Sequence, residues 1–104
     1  MERHAIVMKM KPNMQEEYKK RHDELWVDML ELLKQAEINN YSIWSAGEFL
    51  FQYFEIENYE KAKNTLSNSR VKKRWDEHMK DIIDEESAIE LEEMFYFNGD
   101  TSGR

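Results

Sequence analysis

The chain has 104 residues, 40 % hydrophobic and 36 % charged, with a net charge of −7 and no cysteine. That length supports one core and a single domain over residues 1–104, and the acidic balance argues against nucleic acid, whose phosphates need clustered Lys and Arg. Without thiols there are no disulfides, no thiolate metal sites and no cysteine nucleophile, so any catalysis rests on His, carboxylates, Tyr or Lys.

Arg3 to Lys11 alternates Ile6, Met8 and Met10 against Ala5, Val7 and Lys9, the period of a strand, and Pro12 ends its pairing. Asn13 followed by Glu16 reads as a helix cap with an acidic residue placed to reach back, and it predicts one long helix from Met14 to Gln35. Strands are expected over Asn39–Ser45 and Phe49–Glu57, joined by a hairpin at Ala46-Gly47-Glu48. The second places Phe49, Phe51 and Tyr53 on one side and Leu50, Phe54 and Ile56 on the other, so both of its faces need cover.

A short helix is expected over residues 59–66. Ser67-Asn68-Ser69 caps the next, Arg70 to Ile83, whose Val71, Trp75, Met79 and Ile82 share a stripe. Asp84-Glu85-Glu86-Ser87 reads as a solvated connection, Glu90 to Asn98 as the last strand and Gly99 to Arg104 as a frayed tail. The order βαββαβ is α+β, a ferredoxin-like four-stranded antiparallel sheet with helices on one face. Phe49, Phe51, Tyr53, Phe95 and Phe97 are too much apolar surface for the other face to leave in water, which predicts a two-fold homodimer packed through the sheets.

On the long predicted helix, at about 100° per residue, Met14, Tyr18, Leu25, Met29, Leu32 and Ala36 fall in one sector, and His22 falls inside it. A titratable ring therefore points where the core points; most such histidines are satisfied packing residues, and pattern alone leaves the role of His22 open. Trp26 and Trp44 read as packing residues. His4 and His78 have no second ligand at metal spacing, so no metal site is expected. No phosphate-binding glycine loop, nucleophile elbow or dinucleotide fingerprint is present. No apolar run is long enough to cross a bilayer, and Met1-Glu2-Arg3-His4 lacks the ordering of a signal peptide, so no membrane partner and a cytoplasmic location are expected.

The chain resembles the L-rhamnose mutarotase family, small dimeric α/β-barrel proteins that interconvert the anomers of a deoxy sugar. The resemblance rests on Ala5 and Val7-Met8, Pro12, Glu16-Glu17-Tyr18, Arg21-His22 and Trp26. It continues through Asn40-Tyr41 with Ile43, Glu55-Ile56-Glu57, Arg74-Trp75, Glu90-Leu91, Glu93 and Phe95-Tyr96, in order and over nearly the whole chain. It implies a carbohydrate isomerase without cofactor, a monosaccharide substrate, His22 as proton donor, and Tyr18, Tyr41, Trp75 and the residue after Trp75 as the sugar-binding wall. That last residue departs from the family pattern: Asp76 stands where a second aromatic is common. An aromatic face packs on sugar C–H groups whereas a carboxylate accepts from hydroxyls, so the resemblance leaves the preferred sugar open between L-rhamnose and a relative with another hydroxyl pattern.

The residue types suit the reaction. Ring opening requires a proton lost from the anomeric hydroxyl and a proton gained by the ring oxygen. An imidazole with an ordinary pKa of about 6.5 can give and retake a proton in one cycle, so His22 is expected to protonate the ring oxygen, and the acceptor for the anomeric proton is left open. The phenols of Tyr18 and Tyr41 serve better as hydrogen-bonding groups than as bases, and Asp76 is a base only if it faces the pocket. Two other readings stand beside this one: a cofactor-free or haem-degrading monooxygenase, by fold analogy alone, and a non-catalytic small-molecule-binding domain.

Overall fold

The computed structural model describes residues 1–100. Its elements run β1 (Glu2–Met10), α1 (Gln15–Asp23), α2 (Val27–Gln35), β2 (Ile38–Ala46), β3 (Phe49–Ile56), α3 (Tyr59–Ser67), α4 (Arg70–Met79) and β4 (Ile83–Leu91). The strands form one sheet in the order β2-β3-β1-β4, with every neighbouring pair antiparallel. This is the ferredoxin-like βαββαβ arrangement, in which each helical crossover is a pair of helices.

Local chemistry explains most boundaries. Gly47 turns the β2–β3 hairpin at φ +60°, a conformation that two-residue hairpin loops require and that glycine adopts without strain. Asn58 accepts from the Lys61 amide at 3.0 Å and Ser69 from the Lys72 amide at 3.3 Å, capping α3 and α4.

Four expectations are corrected. The helix expected from Met14 to Gln35 is two helices: α1 stops at a Glu24 cap, and Trp26, with ψ 143°, is extended backbone from which α2 restarts. Asn13 does not cap α1; it takes a left-handed φ of 62°, which asparagine tolerates, and turns the chain after Pro12. The helix from Arg70 ends at Met79 rather than Ile83. The last strand is Ile83–Leu91 rather than Glu90–Asn98, so the acidic run at 84–87 lies in a strand and Phe95 and Phe97 lie beyond it. The frayed-tail expectation falls mostly on residues 101–104, outside those described.

The sheet has two unlike faces. On the helix side, Met10 and Leu50 join Tyr18 of α1, Met29 and Leu32 of α2, Trp75 and Met79 of α4, and Ile82 in one buried cluster. Phe54 and Ile56 join Ala36 and Ala62 in a second. On the other side, register aligns Trp44, Phe51, Val7 and Ile89 in a row across all four strands. Trp44, expected to be a packing residue, is 69 % exposed there, and Phe49, Phe51, Ile89 and Leu91 are exposed with it. Glu93, in the segment after β4, accepts from Arg3 Nε and Nη2 at 2.8 and 3.0 Å, and the same guanidinium lies 3.4 Å above the Tyr96 ring. A bidentate pair and a cation–π contact thus anchor the segment to β1.

Candidate active site

Between the helix-facing side of the sheet and the helices lies a pocket of about 660 Å³, within the roughly 300–1,000 Å³ of small-molecule sites. Its wall is largely aliphatic and aromatic. His22, Tyr18, Tyr41, Trp75 and Asp76, drawn from α1, β2 and α4, all line it. A second cavity of about 450 Å³ adjoins it between α1 and β2, and Tyr18, His22 and Ile43 border both.

His22 is half-buried near the C-terminal end of α1, one turn after Tyr18. Its Nδ1 lies 3.1 Å from the Tyr18 carbonyl oxygen. A carbonyl only accepts, so Nδ1 carries the hydrogen, and in the neutral ring the lone pair belongs to Nε2. Burial pushes the His22 pKa below its ordinary 6.5, against the opposing pull of the Tyr18 carbonyl and Asp23. At neutral pH the ring is therefore an uncharged base of fixed tautomer. Tyr18 stacks on it with ring centroids 4.3 Å apart, and Trp75 meets it edge-on at 5.3 Å and 89°. Trp75 is itself 6 % exposed and meets Trp26 edge-on at 5.2 Å, so it both packs the core and forms pocket wall.

Arg21 ties this wall together. Its guanidinium donates to Glu17 at 2.7 Å, to the His78 carbonyl at 2.6 Å, and through both terminal nitrogens to Asp81 at 2.8 and 3.2 Å. The helix carrying His22 is thereby clamped to the end of the helix carrying Trp75. The clamp raises the Arg21 pKa further and holds the Asp81 carboxyl below the usual carboxylate range.

The two other phenols behave as neutral donors. Tyr41 is 42 % exposed as a residue, yet desolvation pushes its phenol up to about 12. Burial first, then the neighbouring Tyr41, raises that of Tyr18 further still. Asp76 reaches the pocket but is ion-paired with Lys72, one turn earlier and also a pocket residue. A carboxylate so matched binds hydroxyls better than it abstracts protons.

Sequence reasoning missed four polar lining residues, Gln52, Tyr59, Lys63 and Lys72. Lys72 was signalled by its i,i+4 spacing from Asp76. Gln52 was signalled as the one polar residue in the inward series Leu50, Gln52, Phe54, Ile56. His4 is not a lining residue; it stacks behind the lining residue Tyr59 at 3.9 Å and contacts Glu2. Among the described residues no group of His, Cys, Asp and Glu is arranged to hold a metal ion. No helix there is long and apolar enough to cross a membrane.

The family profile described as L-rhamnose mutarotase matches residues 3–97. The L-rhamnose mutarotase of Tolumonas auensis is 37 % identical over 103 residues, covering 92 % of this chain and 98 % of that protein. The one from Bacillus subtilis is 37 % identical over 105 residues, covering 94 % and 100 %. Among solved structures, the crystal structure of the L-rhamnose mutarotase from Formosa agariphila is similar at a TM-score of 0.82 and 31 % identity, covering 94 % of this chain and all of that one. Tetracenomycin F2 cyclase from Streptomyces glaucescens, at a TM-score of 0.72 and 14 % identity over 95 % of this chain and 99 % of that one, shares the fold. A full-length profile match and relatives of this similarity give one conclusion: the chain belongs to the L-rhamnose mutarotase family.

Proposed function

We propose that this protein is a cofactor-independent sugar isomerase that interconverts the α and β anomers of L-rhamnose or a closely related aldopyranose, with His22 as the proton-transfer group. The observation that carries the reading is the tautomer-fixed, neutral imidazole on the wall of a pocket large enough for a monosaccharide, in a chain of this family. A pyranose bound there loses its anomeric proton to Nε2. The bond from the anomeric carbon to the ring oxygen breaks, the anomeric oxygen becomes the aldehyde oxygen, and the imidazolium delivers its proton to the departing ring oxygen. Rotation about the bond between the first two carbons and the same steps in reverse close the ring on the other face. Both oxygens sit on one carbon, so a single imidazole serves both ends, and His22 is the proton donor of the second step. The apolar face of the sugar lies against Trp75 and Tyr18, while Tyr41 and Asp76 take hydroxyls. A cytoplasmic location goes with this reading.

Saturation transfer between the anomeric proton resonances of L-rhamnose tests it: catalytic amounts of protein are expected to raise the exchange rate well above that in buffer. Binding with no acceleration for any of a panel of deoxy and fully hydroxylated aldoses would make the protein a sugar-binding domain instead. In the same panel, Asp76→Trp is expected to shift preference toward sugars that present a methyl or C–H face.

We also propose a homodimer built through the open sheet face, supported by the exposed row of Trp44, Phe51 and Ile89 with Phe49 and Leu91 beside it. Apolar area of this extent is characteristic of an interface. Phe51→Glu, which places a charge in the middle of that row, is expected to convert a dimer to a monomer in sedimentation velocity. A parent that sediments as a monomer would remove the proposal.

A further inference from the structure

Gln52 sits on β3, a central strand, on the side facing the helices, and its register neighbours are Ile6 on one side and Ile43 on the other. An amide in so apolar a row is costly unless its polar atoms are used. One is: the Tyr41 hydroxyl donates to Gln52 Oε1 at 2.5 Å. With Oε1 turned to the Tyr41 hydroxyl, the carboxamide nitrogen brings two N–H donors for which no acceptor is found among the described residues. Both residues line the 660 Å³ pocket. Since no buried polar side-chain atom there lacks a partner, the nitrogen is accessible to solvent, and its residue is part of the pocket lining.

We infer that Gln52 is a substrate-contacting residue whose amide nitrogen donates to a hydroxyl oxygen of the bound sugar, and that Tyr41 is the positioning residue that aims it. The inference rests on the sugar-isomerase reading of the same pocket and adds a specificity element to it. A floor donor at Gln52 and the Lys72–Asp76 pair on α4 give a largely apolar pocket two further, separate places to read hydroxyls. The substrate class is then a pyranose with a hydroxyl directed at the sheet as well as one directed at α4.

The first test is direct. In the parent protein, the side-chain amide resonances of Gln52 are expected to shift on titration with L-rhamnose, and resonances unmoved at saturation would overturn the inference. In kinetics, Gln52→Leu is expected to weaken use of L-rhamnose about five- to tenfold, the loss falling mainly on KM. Among singly deoxygenated relatives of L-rhamnose, one is expected to be poorer than L-rhamnose for the parent yet no poorer for Gln52→Leu. On a Tyr41→Phe background the cost of Gln52→Leu is expected to shrink, because the amide has already lost its orientation. An unchanged KM, or an equal penalty against every deoxygenated sugar, would remove Gln52 from the site. If the amide shifts but the parent accelerates no anomer exchange, the isomerase reading fails and the Gln52 contact stands. If exchange is accelerated and the amide does not move, the reverse holds.

Discussion

Replacing His22 with alanine is expected to slow anomer exchange by about 10²- to 10⁴-fold, the usual worth of a positioned general acid–base group, while leaving the sheet and its register intact. The ring makes one hydrogen bond, to a backbone carbonyl of its own helix, and the stacked Tyr18 and edge-on Trp75 still border the vacated space. The measurement is saturation transfer on L-rhamnose anomers, and a variant that exchanges them as fast as the parent would take His22 out of the mechanism. The pH dependence has a definite sign. Burial lowers the His22 pKa, so the neutral, proton-accepting form persists below the ordinary 6.5 and kcat/KM falls only on the acid side of that value. On the alkaline side the profile stays flat until phenols ionise, Tyr41 at about 12. The same shift acts on folding: below the ordinary value the unfolded chain takes up its proton before the folded one does. His22 therefore draws stability away as pH falls through that window and has no effect above it. Denaturant midpoints across this pH range, with His22→Gln for comparison, check the second sign.

Trp75→Ala is expected to cost about 3–5 kcal/mol of stability, the range for emptying a buried large aromatic. The indole is in the larger core cluster, contacts His22 and Trp26 edge-on, and lies on the helix that Arg21 clamps to α1. Urea unfolding reads the loss directly. Trp75→Phe, which refills part of the volume without the full edge contacts, is expected to lose less. It should nonetheless depress activity, because the imidazole then has a freer ring plane. A Trp75→Ala protein within about 1 kcal/mol of the parent would show that the site collapses without cost and that the indole is not a structural wall.

The strands and helices that bury an apolar face were legible in the sequence because burial imposes a period: 2 for β1 and β3, 3.6 for α3 and α4. Where the reading failed, something other than burial decided. The break between α1 and α2 falls at Glu24-Leu25-Trp26, with no Gly or Pro to mark it. Leu25 and Trp26 both pack on the same core cluster as the flanking helices, so the apolar stripe runs through the interruption undisturbed. β4 was missed for the opposite reason. It is an edge strand, and edges tolerate and favour charge, so Asp84, Glu85 and Glu86 read as a solvated loop. The alternation over residues 91–97 imitated the strand that precedes it. For the site, Tyr18, His22 and Trp75 followed from stripe positions together with the family resemblance. Gln52 shares the period of Leu50, Phe54 and Ile56 in the sequence, but pattern alone does not decide which face of β3 meets the helices.

The guanidinium of Arg21 has a consequence for how the protein should behave in acid. Its grip on Asp81 favours the carboxylate form of that residue, so the link between α1 and α4 persists below the ordinary carboxylate range, whereas the neighbouring imidazole takes its proton below its own ordinary 6.5. The proton that charges His22 is therefore not one that the α1–α4 clamp depends on, although by linkage it lowers folding stability. In the proposed mechanism, acid that charges His22 without unfolding the protein should stop turnover reversibly, and neutralising the solution should restore it with no refolding lag.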